Sequence, residues 1–193
     1  MESLEATIAR LLEAGDHLSA ATAIMRGYGP AILGYLAALA RDEDRADDVF
    51  SQFCEDLWTG LPGFRQEASI RTWVHQLAWH AWLRYERDAY RRHGRRLASG
   101  DMSRLAAEVR STTALHLRSD VKDAVSRLRA ELAPAEQSLL ILRIDRSLSW
   151  TEVASVMSTP EEQVDARTVA KRFQRVKERL RKLAESEGLL QRS

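Results

Sequence analysis

The sequence predicts an all-α fold of two small helical domains joined by a flexible linker, with a helix-turn-helix in the second domain. Apolar residues recur at helical spacing through most of the 193 residues, and the alternating pattern of a strand is nearly absent. Between residues 94 and 119 this periodicity weakens and glycine, serine and threonine accumulate, which indicates a linker. A short capped helix followed by a long basic helix near the end of the chain favours the helix-turn-helix.

In the first domain, residues 1–93, the first predicted helix covers about 17–26 and stops at the break Gly27-Tyr28-Gly29. Pro30 suits the first turn of a second helix, because an N–H at that position would have no partner inside the helix. This second helix is predicted to end near Arg41.

A third and a fourth helix are separated by a loop. Asp44 can cap the third helix, which covers about 45–59. The stretch Leu61 to Ala68 contains proline and glycine and is predicted as a loop. Ser69 can cap the fourth helix, which runs to about Arg92.

Residues 94–119 form the predicted linker, with at most a short helix around Leu105 to Val109. In the second domain, residues 120–193, one helix spans about 120–132 and Pro134 opens the next.

The helix-turn-helix is predicted from two start signals. Ser149-Trp-Thr-Glu152 forms a capping box for a short helix. The start of the last helix stays open between Thr159-Pro-Glu-Glu162 and Asp165, which is an alternative cap. This helix has one apolar stripe: Val169, Phe173, Val176, Leu180 and Leu183.

The composition argues against an enzyme, a metal site and a cofactor. Cys54 is the single cysteine, so neither an internal disulfide nor a cysteine-based zinc site can form. His75 and His80 are five residues apart and share no helix face, and glycine-rich phosphate loops are absent from the sequence. The N-terminus lacks a signal pattern and the longest apolar run, Leu33 to Ala40, is short. We therefore expect a cytoplasmic protein without membrane insertion.

The final helix is the first candidate binding surface. Basic side chains beside its apolar stripe suit the phosphates and base edges of duplex DNA, and a merely solvated basic face is the alternative. These residues are Arg167, Lys171, Arg172, Arg175, Lys177, Arg179, Arg181 and Lys182.

The helix after Ser69 is the second candidate. At about 100° per residue, Trp79 falls opposite the apolar face, near His75, and Arg84 and Arg87 follow. Aromatic side chains beside arginines suit the unstacked bases of a single strand. The alternative is that Trp79 packs under another helix or loop. The apolar face of this helix is predicted from Ile70, Val74, Leu77, Ala81 and Tyr85.

Acidic residues between Asp42 and Asp56 form the third candidate, on the same helix as Phe50 and Phe53. This face is either a protein-docking surface or a solvated acidic face.

Taken in order, these motifs resemble those of the extracytoplasmic-function sigma factors of bacterial RNA polymerase, from about Tyr28 to Leu183. Five segments carry the resemblance. Residues 45–58 are similar to RAEDLVQEVF…LW, 61–65 to LPxFR, 69–78 to SFRTWLxxIA, 142–154 to LRxxxGLSxxEIA and 168–180 to TVxSRxxRAxERL.

The resemblance implies a non-enzymatic subunit, without a cofactor, that directs core RNA polymerase to promoter DNA. An anti-sigma factor or another regulator is a further implied partner. Core polymerase binding is assigned to Asp47, Asp48, Val49, Ser51, Gln52 and Phe53. Binding of the melted minus-ten element is assigned to Phe64, Arg65, His75, Trp79, His80, Leu83, Arg84 and Arg87. Minus-thirty-five recognition is assigned to Arg167, Thr168, Lys171, Arg172, Gln174, Arg175 and Arg179.

The sequence departs from the family pattern at three places. Ser51 replaces a usual glutamine, Trp79-His80 replaces an Arg-Asn pair, and the turn over residues 158–167 is longer than usual. Two other functions compete with the sigma factor: a sigma-mimicking adaptor that binds an anti-sigma factor without DNA, and a helix-turn-helix repressor. The retained basic helix argues against the first, and the acidic helix is not needed by the second.

Overall fold

The structure is a computed structural model that describes residues 2–88, 100–118 and 128–189. Within these residues every regular element is a helix, which confirms the predicted all-α class. The chain divides into two compact units, Met1–Arg118 and Ser119–Ser193, and each is described by itself.

The first unit is built around a long central helix, α2. The other helices of the unit contact α2, and its buried side chains include Ile24, Ile32 and Leu36. The elements are α1 (Leu4–Glu13), α2 (His17–Ala40), α3 (Glu43–Gly60), a 3₁₀ turn (Leu61–Gly63), α4 (Ile70–Arg87) and α5 (Gly100–Arg118).

The predicted helix break at Gly27-Tyr28-Gly29 is wrong, because α2 continues through it with Pro30 inside the helix. An interior proline costs about 3 kcal/mol, and burial of α2 against its neighbours offsets this cost. The two glycines instead allow α1 and α5 to approach α2 closely. A Cβ on Gly29 would lie 2.8 Å from Val109 Cγ2 of α5, and one on Gly27 would overlap Leu4 of α1.

The predicted flexible linker is wrong for residues 100–118, which form α5 and pack on α2 and α3. Met102, Leu105, Ala106 and Val109 are buried there. These four residues form a narrow helical stripe, and the polar residues around them lowered the apolar density on which the linker prediction relied. The rest of the predicted linker lies outside the described residues, as do the predicted helix end near Arg92 and most of the helix 120–132.

Local capping explains most helix starts. Ser69 caps α4 as predicted, and its side chain accepts a hydrogen bond from Thr72 N. Asp42, rather than Asp44, caps α3. The sequence did not predict α1, which Ser3 caps.

In the second unit, the described residues begin with helical residues 128–130 and continue with α6 (Pro134–Leu140), α7 (Trp150–Met157) and α8 (Ala166–Ser186). Pro134 opens α6 and the Ser149–Glu152 capping box opens α7, as predicted. Asp165 caps α8, whereas Thr159 closes a turn with Glu162. A π-helical turn, Ile141–Asp145, continues α6.

Within the described part of the chain, none of the helices is both long enough and apolar enough to cross a bilayer. The same residues contain no group of three or more His, Cys, Asp or Glu side chains placed to hold a metal ion.

Candidate functional site

Part of the predicted polymerase contact on the acidic helix α3 is buried in the core of the first unit. Val49 and Phe53 are fully buried, so their assignment to a partner-binding surface is wrong. Both belong to the apolar face that holds α3 in the first unit. Asp48 is exposed and Ser51 and Gln52 are half-buried, and these three residues are called the α3 surface below.

Asp47, the remaining predicted polymerase contact, is engaged by α5. Arg110 Nε lies 3.2 Å from Asp47 Oδ1, and Arg110 Nη2 donates to Asp47 O at 3.1 Å and to Ser51 Oγ at 2.6 Å. The guanidinium carbon is also 5.6 Å from the ring centre of Phe50. Partial burial raises the pKa of Asp47, although the charge of Arg110 opposes this. Helix α5 therefore borders the α3 surface, which the sequence did not predict.

Two residues of α4 that were assigned to the melted strand are buried. His75 is 1% exposed and Trp79 is 4% exposed, so neither presents its ring to a DNA strand and the prediction is wrong for both. The buried side of α4 is centred near Ala78 and includes Ala81 and Trp82. The predicted apolar face is partly wrong, because Leu77 and Tyr85 are only half-buried. Small alanines let α4 approach its neighbours closely, so the buried side is centred near Ala78 instead.

The opposite side of α4 carries an aromatic residue and two arginines. It is called the α4 stripe and consists of Trp73, Leu77, His80, Arg84 and Arg87, which are half-buried to exposed. The spacings of four, three, four and three place these side chains on one face. Sequence reasoning missed Trp73, and the signal that could have found it is this register with Arg84 and Arg87.

The loop before α4 extends the stripe. The Phe64 ring centre lies 4.7 Å from that of Trp73. Arg65 is exposed, and it pairs with no carboxylate among the described residues. Arg84 forms an ion pair with Asp56 of α3, whereas Leu83 is half-buried at the margin of the stripe.

Helix α8 displays a row of polar side chains opposite Val169 and Phe173. Arg172 and Arg179 are held by carboxylates: Arg172 Nη2 lies 2.8 Å from Glu162 Oε1, and Arg179 Nη1 lies 2.7 Å from Glu136 Oε2. The exposed residues Arg167, Lys171, Gln174 and Arg175 are called the α8 stripe. None of its three cations has an ion-pair partner within the described ranges.

The cap of α8 decides where this stripe begins. Asp165 Oδ1 accepts from Thr168 N at 2.6 Å, and this hydrogen bonding lowers the pKa of the Asp165 carboxyl. Thr168 is half-buried beside the cap. The first turn of α8 therefore carries Arg167, and Lys171 follows one turn later.

Comparison with known proteins shows similarity to sigma factors. Residues 24–96, which include α3, the loop and α4, match the family model of Sigma-70 region 2. The chain is also similar to the RNA polymerase sigma factor YlaC of Bacillus subtilis (strain 168), with 27% identity over 135 residues that cover 69% of this chain and 77% of that protein. Both comparisons agree with the resemblance to sigma factors that the motifs predicted.

A sigma factor of this family acts in transcription initiation with core RNA polymerase and promoter DNA, and it is not an enzyme. In this chain the matched region contains both the α3 surface and the α4 stripe. The α8 stripe lies outside the matched region, within the second unit.

Proposed function

We propose that this protein is a sigma factor of the extracytoplasmic-function type that docks on core RNA polymerase through the α3 surface. It captures the melted minus-ten strand along the loop 61–69 and the α4 stripe, and it reads the minus-thirty-five duplex with the α8 stripe. The α4 stripe carries the proposal, because an accessible aromatic pair leads into arginines on one helix face. Stacking on unpaired bases and pairing with phosphates need this combination. Each stripe belongs to a different unit, which supports separate reading of the two promoter elements.

The α3 surface supports docking by its chemistry. Asp48 is exposed, and Glu43 and Asp44 extend the negative charge along the first turn of α3. A basic surface on the polymerase would complement this charge. We also propose that an anti-sigma factor or another regulator competes for the α3 surface, since a regulator that covers it would block holoenzyme assembly.

The minus-ten part of the proposal uses the predicted residues that remain accessible. Phe64 and Trp73 offer ring faces, and Arg65 and Arg87 offer guanidinium groups to the strand. His80 and Leu83 line the middle of α4. Arg84 acts mainly through its ion pair with Asp56, which holds α4 on α3.

Single-strand capture is tested with an oligonucleotide that carries the non-template minus-ten sequence of a promoter selected from random DNA by the holoenzyme. Trp73→Ala should weaken binding by about ten- to a hundredfold, because one base stack contributes roughly 1–3 kcal/mol. Affinity for core polymerase should not change. Arg104→Ala on α5, an exposed arginine outside the stripe, is the control. Equal binding by Trp73→Ala and the control would overturn strand capture by the α4 stripe.

Duplex reading is tested with two arginines of the same helix. Arg175→Ala should cost about 1–3 kcal/mol on the selected minus-thirty-five sequence and relax its specificity. Arg172→Ala should cost less, because Glu162 already pairs with that side chain. Identical, sequence-independent losses for both variants would contradict base reading by Arg175.

The same holoenzyme assays separate the two competing functions. A sigma-mimicking adaptor would bind an anti-sigma factor but would show no DNA effect in either test. A helix-turn-helix repressor would bind duplex DNA without core polymerase and would be insensitive to Trp73→Ala.

A further inference from the structure

One carboxylate connects the N-terminal helix to the start of α4. Glu5 Oε2 accepts from Ile70 N at 3.3 Å, and Glu5 Oε1 accepts from Arg71 N at 3.2 Å. These N–H groups belong to the first turn of α4, where no partner exists inside the helix. Ser69 accepts from Thr72 N, so Glu5 provides acceptors for the two N–H groups before it.

Helix α2 holds Glu5 in this position. The Tyr28 hydroxyl donates to Glu5 Oε1 at 2.7 Å, and burial together with this hydrogen bond raises the pKa of Tyr28. Gly27 lets Leu4 of α1 lie directly on α2, since a Cβ at Gly27 would overlap Leu4 Cδ2. The anchored helix α1 thus presents its carboxylate to α4.

The loop ahead of α4 also borders α1. A cavity of about 380 Å³ separates them, with Glu5, Ala9 and Leu12 on the side of α1. Residues 64 and 66–70 line the other side. Within this loop Gln66 has a φ of 58°, a left-handed conformation that a non-glycine residue keeps only when its surroundings enforce it.

We propose that Glu5 is a positioning residue for promoter melting, which fixes the loop and the first turn of α4 in the geometry that receives the melted strand. This inference rests on the proposed minus-ten function of the loop. Without the carboxylate, Ile70 N and Arg71 N lose their acceptor and the loop loses its link to α1. The defect should appear at strand capture rather than at core docking, because the contacts of Glu5 go to α2 and α4.

The first experiment measures open-complex formation by the holoenzyme with Glu5→Gln, and Glu2→Gln is the matched control. Glu2 is an exposed carboxylate near the same helix start, 3.6 Å from Arg10. Glutamine keeps the size of the side chain but replaces one acceptor oxygen by a donor. We expect about a tenfold lower open-complex equilibrium, the usual effect of one lost charge-assisted hydrogen bond. Affinity for core polymerase should stay at the wild-type value.

A double-mutant cycle between Glu5→Gln and Arg65→Ala separates positioning from general stabilisation. If Glu5 acts through the loop, its effect on strand binding should shrink in the Arg65→Ala background. Additive effects, or a loss of core affinity equal to the loss of opening, would show that Glu5 only stabilises the fold and would overturn the inference.

The outcomes also separate this inference from the function on which it rests. If Phe64→Ala and Arg65→Ala leave strand binding unchanged, the minus-ten function of the loop fails and the inference fails with it. If both weaken strand binding while Glu5→Gln behaves like Glu2→Gln, the function stands and only the role of Glu5 is refuted.

Discussion

Replacement of Trp79 by alanine should destabilise the first unit rather than impair DNA binding directly. Its side chain is 4% exposed. An indole buries roughly 150–250 Å², and at about 25 cal/mol per Å² this burial corresponds to about 4–6 kcal/mol. Core Trp→Ala substitutions commonly cost about 3–5 kcal/mol. Since domains are stable by only about 5–15 kcal/mol, Trp79→Ala should remove a large part of the free energy of unfolding.

The assay is thermal unfolding followed by circular dichroism, with Trp73→Ala as the control. Trp79→Ala should lower Tm by more than about 10 °C, whereas the half-buried Trp73 should matter far less. Trp79→Phe should restore most of the lost stability, because the indole N–H has no hydrogen-bond acceptor among the described residues. A Trp79→Ala protein that melts like the wild type but fails to capture the single strand would refute the burial argument.

Three further predictions concern local contacts. Arg110→Ala should speed amide exchange in α5, because it removes the contacts to Asp47 and Ser51; exchange no faster than in Arg104→Ala would contradict this. Ser147 has a φ of 54°, so in urea unfolding Ser147→Val should be destabilised by about 1–2 kcal/mol and Ser147→Gly should not; equal midpoints would argue against strain. The lowered pKa of Asp165 means that its stabilisation is present above the ordinary aspartate pKa and is lost as pH falls through the lowered value. The stability difference between wild type and Asp165→Asn should therefore change across acidic pH, and a constant difference would contradict the linkage.

Most of the correct predictions from the sequence rest on local capping residues. Ser69 and Ser149 start α4 and α7 because a side-chain oxygen and a nearby N–H meet within a few residues. The choice between Thr159 and Asp165 remained open, because both residues have capping side chains. In the structure Asp165 caps α8, whereas the Thr159 side chain accepts a hydrogen bond from Glu162 N within the preceding turn.

The face of α4 that is buried could not be predicted from local signals. At about 100° per residue the predicted apolar face placed Trp79 outward, but the neighbouring helices surround α4 over more than half of its circumference and bury Trp79 together with His75. The width of a buried face depends on how many helices pack against it, and that number is a property of the tertiary structure.

By itself the sequence determined the all-α class, the family motifs and the basic character of α8. Helical periodicity, capping and charge depend on residues that are only a few positions apart in the chain. Only the tertiary structure decided the roles of Gly27, Gly29 and Arg110. The glycines that predicted a break lie where α1 and α5 approach a continuous α2, and Arg110 of the predicted linker pairs with Asp47, 63 residues earlier in the chain. Glycine weakens a helix and also permits close packing, and only the presence of a neighbouring helix determines which effect prevails.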